Sequence, residues 1–272
     1  MSIHKTLAAS AAIAVSMAAG AASAATYDLS RQNTDTLFSF TNPVMTSMSL
    51  TRNGSTATST AQIGGYAITA DNVASDETWD FVGWCVDLFT AFNHGGPANM
   101  NIDRYETSST EPSGIAWYGR FDNVESFFER VYDPAILSDP ILAGGWQLAI
   151  WELLYENNFA TDGASLQSGT FQAFEHKATV KNAAGVVRSS TLAVEQAAWD
   201  AADNFLADWL SWSVGDPMTD WDFTYFTAVD GRTTNQSLIT VTPPPAAVPL
   251  PVPALLLLGG LAALGAMKRR KV

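Results

Sequence analysis

The stretch "LAGGWQLAIWELLYENN", residues 142–158, predicts a helix that follows Pro140 and lies between two regions rich in strand patterns. On a helical wheel, Leu154 and other apolar side chains surround Gln147, whereas Glu152 and Glu156 fall on the opposite side. We therefore expect the glutamates to face solvent and Gln147 to lie on the buried face. A buried carboxamide without partners costs on the order of 1–3 kcal/mol, so its position needs an explanation.

The rest of the chain predicts strands on either side of a helical block. Near-alternating threonine, serine and aromatic residues predict strands up to "TWDFVGWCVDLF", residues 78–89, and again in residues 221–242. Two further helices are predicted over residues 123–133 and from Thr191 onward. Since strands and helices do not alternate, a parallel α/β sheet is disfavoured. The expected fold class is α+β, a β-sandwich or barrel framework with an inserted helical block.

The N-terminus has the three parts of a secretory signal peptide. A short basic segment ending at Lys5 precedes a small and apolar run, and Ala22, Ser23 and Ala24 form a small-x-small cleavage site. We expect residues 1–24 to be removed on export and residues 25–242 to form one extracellular domain.

The C-terminal residues 243–272 form a proline-rich neck, an apolar segment and a basic end. Residues 246–267 contain no charge and their 22 residues are enough to cross a membrane. The basic cluster is then expected to act as a stop on the cytoplasmic side, and it comprises Lys268, Arg269, Arg270 and Lys271. A single C-terminal transmembrane helix is the expectation.

The tail resembles the VPLPA-type variant of the PEP-CTERM sorting signal. The residues that carry the resemblance are Val248, Pro249, Leu250 and Pro251. Val252 and Pro253 follow, where the family usually has an alanine directly after the second proline. The resemblance implies a Gram-negative bacterium, an exosortase-like sorting protease as partner, and a membrane-anchored protein later passed to the cell surface or extracellular matrix.

The exported part is strongly acidic. Without Lys5 and the four C-terminal basic residues, nine basic residues remain against 27 acidic ones, a net charge of −18. Such a surface repels nucleic acid, so we expect no nucleic-acid partner. The acidic loops at residues 71–77 and 215–222 follow no calcium-loop pattern and are expected to be solvated, with no metal site and no cofactor.

Cys85 is the one cysteine of the chain and lies within a predicted strand, so it has no disulfide partner in the same chain. The residues alone leave simple explanations open. Cys85 could be a small buried apolar side chain, and Gln147 could bond to a strand backbone across the core.

Taken together, the two residues resemble the internal thioester domain of bacterial surface adhesins. "WCVDLF" around Cys85 resembles its cysteine element, and "WQLAIW", residues 146–151, fills every position of its glutamine motif. The resemblance implies that the sulfur attacks the side-chain carbonyl of Gln147, that ammonia leaves, and that an amine on a partner later opens the thioester. It implies covalent adhesion with a single turnover, and not an enzyme.

Three neighbours are predicted to support the bond. Trp84 and Trp151 would keep water away from it, and Asp87, two residues beyond Cys85 on the same strand face, could assist proton transfer. Asp87 could equally pair with a backbone amide.

Other functions stay open as alternatives. One is a structural surface or matrix protein of the same fold without an intact thioester, and a more remote one is an extracellular hydrolase. His94 and His176 are the only histidines after the signal peptide, too few for a three-histidine metal site, and neither lies in a protease motif.

Overall fold

A computed structural model gives the fold. It describes residues 25–31, 44–52, 55–88, 103–109, 120–156, 164–175, 180–181, 187–188, 191–213, 216, 218–229 and 236–242. The predicted signal peptide and sorting motif, the apolar tail, the basic cluster and both histidines named above lie outside these residues.

Six strands form a closed antiparallel barrel in the order β1-β4-β5-β11-β10-β6, closed by the pairing of β6 with β1. The ranges are β1 Thr26–Arg31, β4 Tyr66–Asn72, β5 Thr78–Cys85, β6 Asp103–Ser108, β10 Asp222–Ala228 and β11 Leu238–Thr242. Closure leaves the barrel without an exposed edge strand.

Aromatic rings identify the inner face of the barrel. Phe81 on β5 stacks on Phe226 of β10 with centroids 4.7 Å apart, although β11 separates these strands. The opposite face of β5 carries Trp84, which packs against Trp146 outside the barrel. Residues of β5 that share the parity of Phe81 therefore point inward, and Cys85 is one of them.

Five further strands among the described residues lie outside the barrel. A three-stranded antiparallel sheet has the order β3-β2-β7, and a hairpin pairs β8 with β9. Their ranges are β2 Met45–Arg52, β3 Ser55–Gln62, β7 Phe171–Phe174, β8 Val180–Lys181 and β9 Val187–Arg188.

Within the described residues, three α-helices lie between β6 and β10. They are α1 Phe121–Val131, α2 Pro140–Tyr155 and α3 Leu192–Ser211, with a 3-10 helix at Pro134–Ser138 before α2. The start of α2 is fixed locally, because Asp139 accepts a hydrogen bond from the backbone N–H of Ile141 and Pro140 occupies the first turn. Thr191 caps α3 in the same way through the N–H of Val194.

Helix α2 is buried on every side. Trp146 contacts Trp84 of the barrel, Phe127 of α1 and Phe205 of α3. The prediction that Glu152 and Glu156 face solvent is therefore wrong, since both side chains are fully buried. A helix covered all round does not reveal an outer face by its charges.

The predicted α+β class, with a barrel framework and an inserted helical block, is confirmed. The three predicted helices are present, with ends shifted by one to three residues. No helix within the described residues has the length and hydropathy of a membrane span.

Candidate functional site: a cysteine between two glutamines

Cys85 is the last residue of β5 and its side chain points into the barrel. It is paired with Leu238 of β11, and its side chain is only 3% exposed. At this point β5 has passed the end of β4, because the pairing of these strands ends at Tyr66 and Gly83. The N–H and C=O of Cys85 on that side therefore have no strand partner.

Gln147 of α2 supplies the missing partner. Its Oε1 accepts a hydrogen bond from the N–H of Cys85, and its Nε2 donates to the C=O of Cys85, both at 2.8 Å. The carboxamide thus replaces one peptide group of a neighbouring strand. Bonding to a strand backbone was one of the explanations that the sequence left open for this buried residue.

Tyr155, two turns further along α2, also bonds to the backbone of the segment that follows β5. Its hydroxyl accepts a hydrogen bond from the N–H of Leu88 at 3.0 Å and donates to the C=O of Val86 at 3.1 Å. Gln147 and Tyr155 together bond to four backbone groups between Cys85 and Leu88, so α2 holds the segment that carries the thiol.

The sulfur itself contacts a second glutamine, Gln236. The thiol of Cys85 donates to Oε1 of Gln236 at an Sγ–Oε1 distance of 2.7 Å, and this carboxamide is also buried. Its Nε2 donates to the C=O of Asp87. Since a backbone oxygen can only accept, this bond fixes the nitrogen there and turns the carbonyl toward the sulfur.

Strand register places Gln236 at this position. Leu238 lies opposite Cys85, and the N–H of Val86 donates to the C=O of Ser237, which extends the ladder by one residue. Gln236 is therefore a diagonal neighbour of Cys85 on the same face, within reach of a long side chain. The hydroxyl of Tyr105 donates to its C=O and holds its backbone from inside the barrel.

Burial keeps the thiol protonated. Desolvation raises the pKa of Cys85 well above its usual value, a hydrogen bond from the Tyr66 side chain lowers it, and the negative charge of Asp87 raises it. A neutral S–H group can donate to the carbonyl of Gln236, as the geometry requires.

The three predicted supporting residues have different positions. Asp87, which follows β5, is close enough to the thiol for its charge to raise the pKa of Cys85. Trp84 is buried on the opposite face of β5 from Cys85, where it packs against Trp146 with centroids 6.5 Å apart. Trp151 is buried in the core one turn after Gln147.

The structure brings Gln147 to the backbone of Cys85 and Gln236 to its sulfur, and the sequence analysis missed Gln236. The alternation of Gln236, Leu238 and Thr240 places the glutamine on the inward face of β11. That signal is present in the sequence. The sequence does not show that β11 pairs with β5, and this pairing is what places Gln236 beside Cys85.

A group of carboxylates lies in the C-terminal part of α2. Glu152 accepts from the N–H of Ser165, and Glu156 accepts from the N–H of Thr170 at 2.6 Å. Burial first and the charge of Glu156 second raise the pKa of Glu152 to about 8. These groups hold the turn before β7, and within the described residues no cluster of three or more metal-ligating side chains occurs.

Comparisons with known proteins find little. No family model matches the chain, and no curated protein matches it. Among solved structures, the chain is similar to the N-terminal domain of the Streptococcus pyogenes pilus tip adhesin Cpa. The TM-score is 0.40 and the identity 14%, over 76% of this chain and 97% of that one. The function is therefore inferred from the geometry at Cys85.

Proposed function

We propose that this is an exported surface protein whose barrel domain forms an internal thioester between Cys85 and Gln236, through which it bonds covalently to amines. The observation that carries the proposal is the 2.7 Å contact between the Cys85 sulfur and the carbonyl oxygen of Gln236. Because a C=O bond is about 1.2 Å long, the carbonyl carbon lies within about 4 Å of the sulfur.

The bond-forming step uses only groups of this chain. The sulfur adds to the side-chain carbonyl carbon of Gln236, the C–N bond breaks, and the nitrogen leaves as ammonia with the thiol proton. Both reacting groups are held in one buried site, which removes most of the entropic cost of bringing them together.

Gln236 suits this role better than Gln147, the residue predicted from the sequence motif. Both polar atoms of the Gln147 carboxamide are bonded to the backbone of Cys85, and attack at its carbon would break that support. Gln147 therefore positions the cysteine backbone, and Gln236 receives the sulfur.

The second step is reaction with a partner. An amine adds to the acyl carbon, the C–S bond breaks, and the product is an amide between Gln236 and the partner, with the amine's proton on the Cys85 sulfur. Each molecule reacts once, so the outcome is adhesion to an amine-bearing surface or matrix target.

The signal peptide and the tail support the location of this chemistry. Export would place residues 25–242 outside the cytoplasm, and the tail would hold them at the membrane until an exosortase-like protease acts. A covalent bond to a matrix or surface target would then keep the protein at the cell surface.

Intact mass tests the proposal. The purified domain should be lighter than its sequence by one ammonia, its thiol should resist iodoacetamide, and methylamine should add to it. Cys85→Ala should show none of the three. A wild-type domain at its unmodified mass with a readily alkylated Cys85 would contradict the proposal and favour a structural surface protein of the same fold.

A further inference from the structure

We propose that the hydroxyl of Tyr66 stabilises the Cys85 sulfur as it leaves when an amine opens the thioester. The inference rests on the proposed function and assigns a residue to the departing group. Tyr66 opens β4, is 9% exposed, and lies diagonally across from Cys85 on the same face of the β4–β5 pair. A hydrogen bond from its side chain lowers the pKa of the Cys85 thiol.

Strand pairing accounts for this contact. Tyr66 is paired with Gly83, and directly opposed residues of an antiparallel pair share a face. Gly83 and Cys85 are two residues apart on β5, so Tyr66 and Cys85 point to the same side of the sheet.

The sulfur therefore has two different polar contacts. Toward Gln236 it donates through its S–H group, and from Tyr66 it accepts a hydrogen bond. Once the thioester has formed, the sulfur has no proton to donate, but the contact from Tyr66 is still possible. When the C–S bond breaks, negative charge develops on the sulfur, where the tyrosine donor already points.

The surroundings make this donor important. Cys85 is buried, and the nearby carboxylate of Asp87 opposes a negative charge on the sulfur. Among the described residues that act on the thiol, Tyr66 favours the charged form of the sulfur, whereas Gln236 presents its carbonyl oxygen to it. A fixed donor is worth more in such a desolvated site than in water.

The first test is the rate of methylamine incorporation in Tyr66→Phe, followed by mass. We expect a rate lower by about tenfold to a hundredfold, because one donor to the transition state is lost. Tyr225→Phe is the matched control, since it removes a buried hydroxyl whose partner is Glu125 on the outer side of the barrel. Its rate should equal that of the wild type.

The second test does not need a thioester. In a Gln236→Ala background, which leaves Cys85 as a thiol, iodoacetamide alkylation reports the thiolate fraction. Adding Tyr66→Phe should slow alkylation and move its pH profile upward, whereas Asp87→Asn should speed it and move the profile downward. A purely structural role for Tyr66 would give the opposite result for Tyr66→Phe, because the smaller side chain admits the reagent more easily.

The two tests separate the two proposals. If the wild type forms no thioester, the function fails, and the alkylation test still decides whether Tyr66 stabilises the sulfur anion. Unchanged or faster alkylation in Tyr66→Phe would overturn the inference. So would slow methylamine incorporation in Asp87→Asn with a normal rate in Tyr66→Phe, which would assign the proton transfer to Asp87.

Discussion

Gln147 places a polar side chain in the core of the protein. It is 1% exposed and makes both of its hydrogen bonds to the backbone of one residue, Cys85. The usual cost of a buried amide is offset because the strand at that point lacks a partner of its own. Sequence reasoning recognised that the two residues belong together, but the type of contact depends on where β4 ends.

Substitution of Gln147 should lower the stability of the fold. In Gln147→Ala, a buried N–H and C=O of Cys85 lose their partners, and we expect the free energy of unfolding to fall by about 2–4 kcal/mol. Urea denaturation measures the change. Gln196→Ala, at an exposed position of α3, is the control and should shift it by less than about 0.5 kcal/mol. A stability equal to that of the wild type would show that the two bonds contribute nothing.

Glu152 makes the stability of the fold depend on pH. Its pKa is raised from 4.5 to about 8, so the folded protein keeps a proton that the unfolded chain releases. The free energy of unfolding should therefore decrease as pH rises from about 4.5 to about 8. Above about pH 8 the destabilisation from ionised Glu152 stays constant, and below about pH 4.5 it is absent because Glu152 is protonated in both states.

Glu152→Gln tests this dependence. Glutamine keeps an acceptor for the N–H of Ser165, and it is uncharged and similar in shape to protonated glutamate. We expect the variant to be more stable than the wild type at pH 8, by on the order of 2–4 kcal/mol, and to differ little at pH 4.5. Thermal or urea unfolding across pH measures it, with Glu77→Gln at an exposed position as control. A parallel pair of pH profiles for wild type and Glu152→Gln would contradict the assignment.

Among the elements, α2 connects the core to the site. It packs against the barrel, α1 and α3, and its Gln147 and Tyr155 hold the segment after β5. The start of this helix follows from the sequence, since Asp139 and Pro140 mark it. The burial of α2 on every side does not follow from the sequence, because such a helix lacks the polar stripe from which an outer face is usually inferred.

Gly145 sets the distance between α2 and α3. A Cβ at this position would lie 2.8 Å from the backbone oxygen of Ala198 and 2.8 Å from the Cβ of Ala201. Backbone atoms cannot move aside cheaply, so close approach of the helices requires glycine here.

Gly145→Ala should therefore destabilise the protein, although alanine is the better helix former by about 1 kcal/mol. We expect a net loss of about 1–3 kcal/mol in the free energy of unfolding, since overpacking outweighs propensity. Gly144→Ala is the matched control, because its Cβ would meet only side-chain atoms of Val44 and Ile63 at 3.2–3.3 Å. A larger loss at Gly144 than at Gly145 would contradict this account of the helix contact.

At the scale of the whole molecule, the barrel and the helical block enclose the site from two sides. Strands β5 and β11 bring Cys85 and Gln236 together although 151 residues separate them in the chain. Periodicity predicts the class of fold and most helix positions, because these depend on neighbours in sequence. Strand order depends on distant pairing, so no local pattern identifies Gln236 as the residue beside the sulfur.

The apolar tail is predicted to hold this domain at the membrane. A chain that stops after Thr242 lacks the apolar tail, so we expect it to leave the membrane fraction and appear in soluble form after export. Cell fractionation with immunodetection measures this, and full-length Cys85→Ala, which keeps the tail, is the control. Membrane association of the shortened chain at the level of the full-length protein would contradict an anchoring role for the tail.

The most direct test of the central claim is a peptide map of the wild-type domain after reaction with methylamine. The account predicts that the methylamide lies on Gln236, that Gln147 is unmodified, and that Gln236→Ala incorporates none. A methylamide on Gln147, or incorporation that persists in Gln236→Ala, would contradict it.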